Sequence, residues 1–161
     1  MRFLLLLLAG LMMVACKKDT TKEWEKYYGY TLDDIKGTYA YSNVPDAFDD
    51  LTESSYCHLC DDAVVSITSS LLSESSIDMA VKCPRAEFNK TFSGRPNTNT
   101  DDFLISMSLS SGSVYPNYEL TAYVYKNAAG KIRLHGFARH IYHPGTDEEY
   151  KVNYYFDVIK K

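Results

Sequence analysis

From Leu120 to Val124 and again from Ile132 to Ala138 the chain places an apolar or small residue at every second position. Leu120, Ala122 and Val124 come first, and Ile132, Leu134, Gly136 and Ala138 follow after Lys126-Asn127-Ala128-Ala129-Gly130-Lys131. Side chains alternate across a strand, so this pattern fits a sheet with one buried face and cannot hold an apolar stripe on a helix. The Asn and late Gly between the two runs predict a four- or five-residue hairpin loop built on a type I turn. Arg133, His135, Phe137 and Arg139 take the outer face of the returning strand. Gly136 and Ala138 inside it suit a tightly curved sheet.

The same period recurs along most of the chain. Gly37-Thr38-Tyr39-Ala40-Tyr41 begins a first strand. Ala63, Val65 and Ile67, followed after a serine-rich turn by Ile77, Met79 and Val81, predict a second hairpin. Phe103, Ile105, Met107 and Leu109 face inward against Ser106, Ser108 and Ser110. After His143-Pro144-Gly145-Thr146, a last strand from Tyr150 to Ile159 sets Val152, Tyr154, Phe156 and Val158 on the core side. Seven strands are predicted, with an eighth near residues 54–57 or 87–92. Ahead of them, Thr31-Leu32-Asp33-Asp34 has the outline of a capping box over one helical turn. Fourteen tyrosines in 161 residues also favour strands. Short strands joined mostly by hairpins predict an all-β, antiparallel up-and-down barrel that closes on itself, with a sandwich as the alternative.

The N-terminus sets the compartment. One arginine, then a run of twelve apolar or small residues from Phe3 to Val14, ends at Ala15-Cys16 before Lys17-Lys18-Asp19. A spanning helix needs about 20 apolar residues, so the run reads as a secretory signal. Met13-Val14-Ala15-Cys16 resembles a bacterial lipobox. The resemblance implies removal of residues 1–15, lipidation of Cys16, and anchorage in a membrane through that lipid. Lys17 occupies the position where Asp would retain such a protein in the inner membrane, which implies the outer membrane, facing periplasm or cell surface. Residues 16–36 then form anchor, tether and helical turn, and residues 37–161 the barrel domain. "DIKGTYAY" at residues 34–41 and the closing "YYFDVIKK" at 154–161 resemble the calycin-like, or lipocalin-like, lipoproteins of Gram-negative gut anaerobes. The likeness implies a calycin-like barrel of about eight strands and a non-enzymatic binding role.

Three cysteines besides Cys16 remain in the mature chain. Cys57-His58-Leu59-Cys60 lacks the following histidine of a haem tether, since Asp61 stands there. Two carboxylates and a β-run after Cys60 oppose a redox thiol, which needs a helix N-terminus to lower its pKa. A zinc set of Cys57, His58, Cys60 and Cys83 is conceivable, but exported cysteines are more often oxidised. The expected outcome is one disulfide closing the 63–82 hairpin at its open end. Pairing Val65 with Met79 and Ile67 with Ile77 brings Cys83 opposite residue 61 and favours Cys60–Cys83. Face parity favours Cys57–Cys83 as the alternative, unless Asp61-Asp62 breaks the alternation.

Other constellations are weaker. His140 and His143 are three apart, out of phase in a strand, and read as part of a solvated loop. Asp46-Ala47-Phe48-Asp49-Asp50 lacks the glycine of an EF-hand loop and reads as an acidic surface. No cofactor, metal site or catalytic motif is expected, and a net charge of −4 without basic clusters opposes nucleic-acid binding. Two stretches, 44–62 and 84–102, resist the meander and are expected as long loops ringing the barrel mouth. There Phe48, Tyr56, Phe88 and Phe92 would meet a small apolar ligand or a partner protein. Ser111-Gly112-Ser113-Val114-Tyr115 echoes the loop of periplasmic lysozyme inhibitors, which implies inhibition of a lysozyme-like hydrolase as an alternative role. A structural subunit of a surface glycan-uptake assembly is a third.

Overall fold

The structure is a computed structural model and describes residues 24–41, 57–71, 73, 75–95, 104–110 and 114–161. Its strands are β1 (Trp24–Lys26), β2 (Gly37–Tyr41), β3 (Cys57–Leu59), β4 (Val64–Ser69), β5 (Ile77–Cys83), β6 (Phe88–Gly94), β7 (Leu104–Leu109), β8 (Tyr118–Asn127), β9 (Ile132–Tyr142) and β10 (Tyr150–Lys160). One helical turn, α1 (Leu32–Ile35), precedes β2, and a 3-10 turn, Pro84–Ala86, precedes β6. Thr31 caps α1 as the sequence predicts: its hydroxyl accepts from the Asp34 N–H at 3.2 Å, and the Asp34 carboxylate accepts from the Thr31 N–H at 2.7 Å.

All ten strands belong to one sheet, and it is not closed. The order is β1-β8-β9-β10-β2-β4-β5-β6, with β7 sharing the edge of β8 with β1, and β3 sharing the edge of β10 with β2. Every ladder is antiparallel except β3 on β10, which is parallel. The expected closed barrel of about eight strands is therefore replaced by an open sheet. Its edges β6 and β7 approach within 8 Å between Cα atoms without a ladder between them.

The inward faces of all the longer strands meet in a single cluster, which requires the sheet to curl. Tyr39, Ile67, Met79, Phe92, Ile105, Leu120, Leu134 and Phe156 are all fully buried in it. α1 covers one end: Ile35 is buried, and the Tyr39 hydroxyl donates to the Ile35 carbonyl at 2.5 Å. Lys160 Nζ donates to the Asp34 carbonyl at 2.7 Å, fastening the last strand to the same end. We call this the α1 end and the opposite one the far end.

Local chemistry explains the two hairpins. Asn127 and Gly130 close the β8–β9 loop, with Gly130 at φ 78 and its N–H donating to the Asn127 carbonyl at 2.9 Å. In the β4–β5 hairpin the register is Val65 with Val81 and Ile67 with Met79, two residues from the expected one. The ladder runs on to Ser69–Ile77, and Ser70 N–H donates to the Ser76 carbonyl at 3.0 Å. A two-residue shift preserves the inward face.

Gly136 holds the point of closest approach. A Cβ there would lie 2.1 Å from the Thr121 carbonyl oxygen and 2.7 Å from Ala122 Cα, both backbone atoms of β8. Gly136→Ala is expected to lower stability by about 2 kcal/mol through forced strand separation, as overpacking does. Urea unfolding followed by circular dichroism checks this, and an unchanged midpoint would show that β8 can retreat freely.

Candidate functional site

The far end is built from the start of β8, the end of β9, the start of β10 and the β5–β6 connection. Inward-pointing positions that hold aliphatic side chains deeper in the sheet hold rings here. Tyr118 lies opposite His140, and Tyr142 opposite Tyr150. The His140 ring is sandwiched between Tyr118 at 4.4 Å and Tyr142 at 3.7 Å between centroids. Tyr142 and Tyr150 are nearly parallel at 4.5 Å. Phe88 stacks on Tyr154 at 4.2 Å and meets Tyr118 edge-on, and His58 of β3 stacks on the other side at 5.3 Å from Tyr154. Lys90 Nζ sits 4.5 Å over the Tyr118 ring.

Burial, and then Lys90, pushes the His140 imidazole below its ordinary pKa, which favours the neutral form of the ring. Burial, and then Tyr142 and Tyr118, raises the Tyr154 hydroxyl. The series thus offers neutral ring edges, hydroxyls and, at its margins, exposed faces. Tyr150 is 42% and Tyr115 55% exposed.

No protein-family model, curated protein or solved structure matches the chain.

Cys60 and Cys83 are joined, with Cα atoms 5.4 Å apart, the pairing that separation favours. The register sets Cys83 level with residue 63, and a turn closed by Ala63 N–H donating to the Cys60 carbonyl folds Cys60 back to it. Cys57 stands outside the disulfide, its Sγ facing Asn153 Nδ2 at 4.0 Å on the outer surface, so the Cys57–Cys83 alternative does not form. With Cys60 and Cys83 oxidised, the four-residue zinc set is dismantled. Beside the disulfide lies a depression of about 330 Å³ between residues 58–62 and 85–87.

The loop residues fare differently. Phe48, Tyr56, the acidic stretch 46–50, Ser111 to Ser113, Phe103 and Cys16 lie outside the described residues. Phe88 and Phe92 sit on a strand rather than a loop: both are buried, Phe88 in the aromatic series and Phe92 deep in the core. The β6–β7 connection leaves from the α1 end, so the two long stretches do not ring one mouth. Sequence reasoning passed over Tyr118, Tyr142, Tyr150 and Tyr154. Their signal was tyrosines on the inward parity on either side of the His143-Pro144-Gly145 turn.

A second polar group lies on the outer face. Asp157, 2% exposed, accepts from Arg133 Nε at 2.7 Å and from the Arg133 terminal nitrogen, and lies 3.0 Å from His135 Nδ1. Trp24 and Tyr125 flank the guanidinium, each 5.8 Å away. Arg139 nearby binds Asn153 and Glu119 and covers Phe137. Among the described residues no three His, Cys, Asp or Glu side chains group as a metal site.

Proposed function

We propose that the chain is a lipid-anchored, non-enzymatic binding protein of the Gram-negative outer membrane that engages its ligand or partner with its far end. In this reading the curled sheet acts as a calycin-like barrel, with β6 and β7 as its seam. The observation that carries it is the distribution of side chains. The interior is filled by packed aliphatic and aromatic groups, while Tyr115 and Tyr150, two of the three exposed tyrosines among the described residues, continue an aromatic series at the end opposite α1; the third, Tyr28, lies at the α1 end. A filled interior supports docking at that end over an enclosed calyx.

The tether supports the same orientation. Eight residues lead from Cys16 to Trp24, a reach of about 28 Å when fully extended. Because β1 pairs beside the β8–β9 loop at the α1 end, the lipid would hold that end to the membrane and turn the rings away. The outer-membrane placement itself follows from the lipobox and Lys17. Photo-crosslinking in cells tests the binding surface. A benzophenone residue at position 150 or 115 should give a discrete adduct, while one at position 28, exposed at the α1 end, should give none. Adducts at position 28 alone would overturn the assignment. Cys16→Ser should abolish palmitate labelling and release the protein from the membrane fraction.

The inhibitor reading keeps one structural support: Val114 and Tyr115 are exposed at this same end, at 93% and 55%. Full activity of a c-type lysozyme in excess of the protein would remove it.

A further inference from the structure

We infer that the far end receives a cationic protein segment, one presenting lysine or arginine side chains to the exposed rings. This rests on the reading of that end as the binding surface and adds the chemistry of the partner. Ring faces attract cations through their quadrupole, most strongly where water is partly excluded. The chain already uses its own series this way, with the Lys90 ammonium over Tyr118. Tyr115 and Tyr150 remain partly exposed, at 55% and 42%.

The charges around the rings decide which occupant fits. The β9–β10 turn carries Asp147, Glu148 and Glu149, all exposed, and among the described residues only Glu149 has an ion-pair partner, Lys151 at 3.1 Å. Across the end, Asp61 and Asp62 share Arg85, and Glu87 makes no ion pair among the described residues. The α1 end is richer in lysine, with Lys26, Lys126, Lys131, Lys160 and Lys161 against Glu25, Asp33 and Asp34. The depression beside the disulfide joins both features, because exposed Leu59 forms an apolar wall and Asp61, Asp62 and Glu87 a carboxylate rim. A lysine or arginine has that amphipathic shape, an aliphatic stem with a charged head. A phosphate backbone, an anionic headgroup or an acidic peptide would meet Glu87, Asp147 and Glu148 instead, which make no ion pair among the described residues.

The test uses the full lipidated chain in zwitterionic nanodiscs with labelled oligoarginine, oligoglutamate and glycine-serine peptides, read by fluorescence anisotropy. Oligoarginine should bind at least about tenfold more tightly than either other probe and weaken as salt rises. Tyr150→Ala and the double variant Asp147→Asn, Glu148→Gln should each weaken it about threefold or more, and Lys131→Ala should not. These positions are exposed, and unchanged thermal unfolding of each variant excludes a folding defect. Equal binding of the neutral or acidic peptide overturns the inference. So does oligoarginine binding that ignores the far-end variants. If photo-crosslinks at position 150 trap a neutral or acidic ligand, the chemistry falls and the location stands. If oligoarginine crosslinks at position 28 instead, both fall.

Discussion

Replacing Cys60 and Cys83 together by alanine is expected to lower the unfolding free energy by about 3 kcal/mol, a large share of the stability of a domain this size. The bridge spans a sequence separation of 23, and both cysteines are buried, at 1% and 0% exposure. It ties the β3–β4 turn to the end of β5, where the β4–β5 ladder has already stopped. Without it, the chain loses a constraint on the unfolded ensemble, and the turn that presents Asp61 and Asp62 loses its clamp. The measurement is urea unfolding with and without a reductant. Wild type should lose about 3 kcal/mol on reduction, and the double alanine variant should be indifferent to it. A wild type equally stable in both conditions would show that packing alone holds the turn. Cys57→Ala should leave both curves nearly unchanged, because its sulfur lies on the other face of the sheet.

The disulfide could be argued from sequence because two long strands of unmistakable alternation fixed its neighbourhood to within a residue pair. The same clean period exposed β7, where Ile105 and Met107 are buried and Ser106 and Ser108 exposed, and the β8–β9 hairpin. β6 was legible only as one of two places for an eighth strand, near residues 87–92, because of a single side chain. Phe88, Lys90 and Phe92 share the inward face, and a lysine in the middle of that face breaks the apolar pattern. Near the far end the stem can run along the wall and deliver its ammonium to Tyr118, so a position that reads as polar loop is a strand. β3 was invisible in type for another reason. Three residues are too few for any period, and its parallel pairing with β10 depends on where the rest of the sheet lies. Closure was over-read, since alternation reports a buried face and says nothing about whether the last edge finds the first.

The aromatic series was half legible. Each ring sits where alternation puts it, but which end of a strand remains open depends on α1 covering the other. That covering follows from Ile35 and Tyr39 packing together, contacts that join a turn of helix to a strand and leave no periodic trace.

Asp157→Asn is expected to cost about 3 kcal/mol, because it strands a buried guanidinium. On the outer face of β10 an aspartate should be solvated, yet Asp157 is enclosed by Arg133, His135 and the flanking rings. Removing its charge leaves Arg133, only 12% exposed, without its partner. The cost should therefore exceed that of deleting both ends of the pair. Arg133→Met with Asp157→Leu should recover much of the loss, since buried pairs seldom outperform apolar replacements. The pH dependence has a definite sign. Burial pushes the Asp157 carboxyl up, but the hydrogen bonds from His135 and Arg133 and their charges outweigh it, so the net position is below the ordinary 3.8. A carboxylate with a depressed folded value contributes stability that is complete above 3.8 and disappears as pH falls through the folded value. The stability gap between wild type and Asp157→Asn should thus persist through neutral and mildly acidic pH and collapse only below 3.8, where Asp157 itself takes up a proton. Trp24, the one tryptophan in the chain, reports the consequence for the tether. It packs over Arg133, so its emission should shift to longer wavelength in Asp157→Asn while the strands remain folded. A gap that already narrows at neutral pH, or an unmoved Trp24 spectrum, would show that the guanidinium is held by the rings alone.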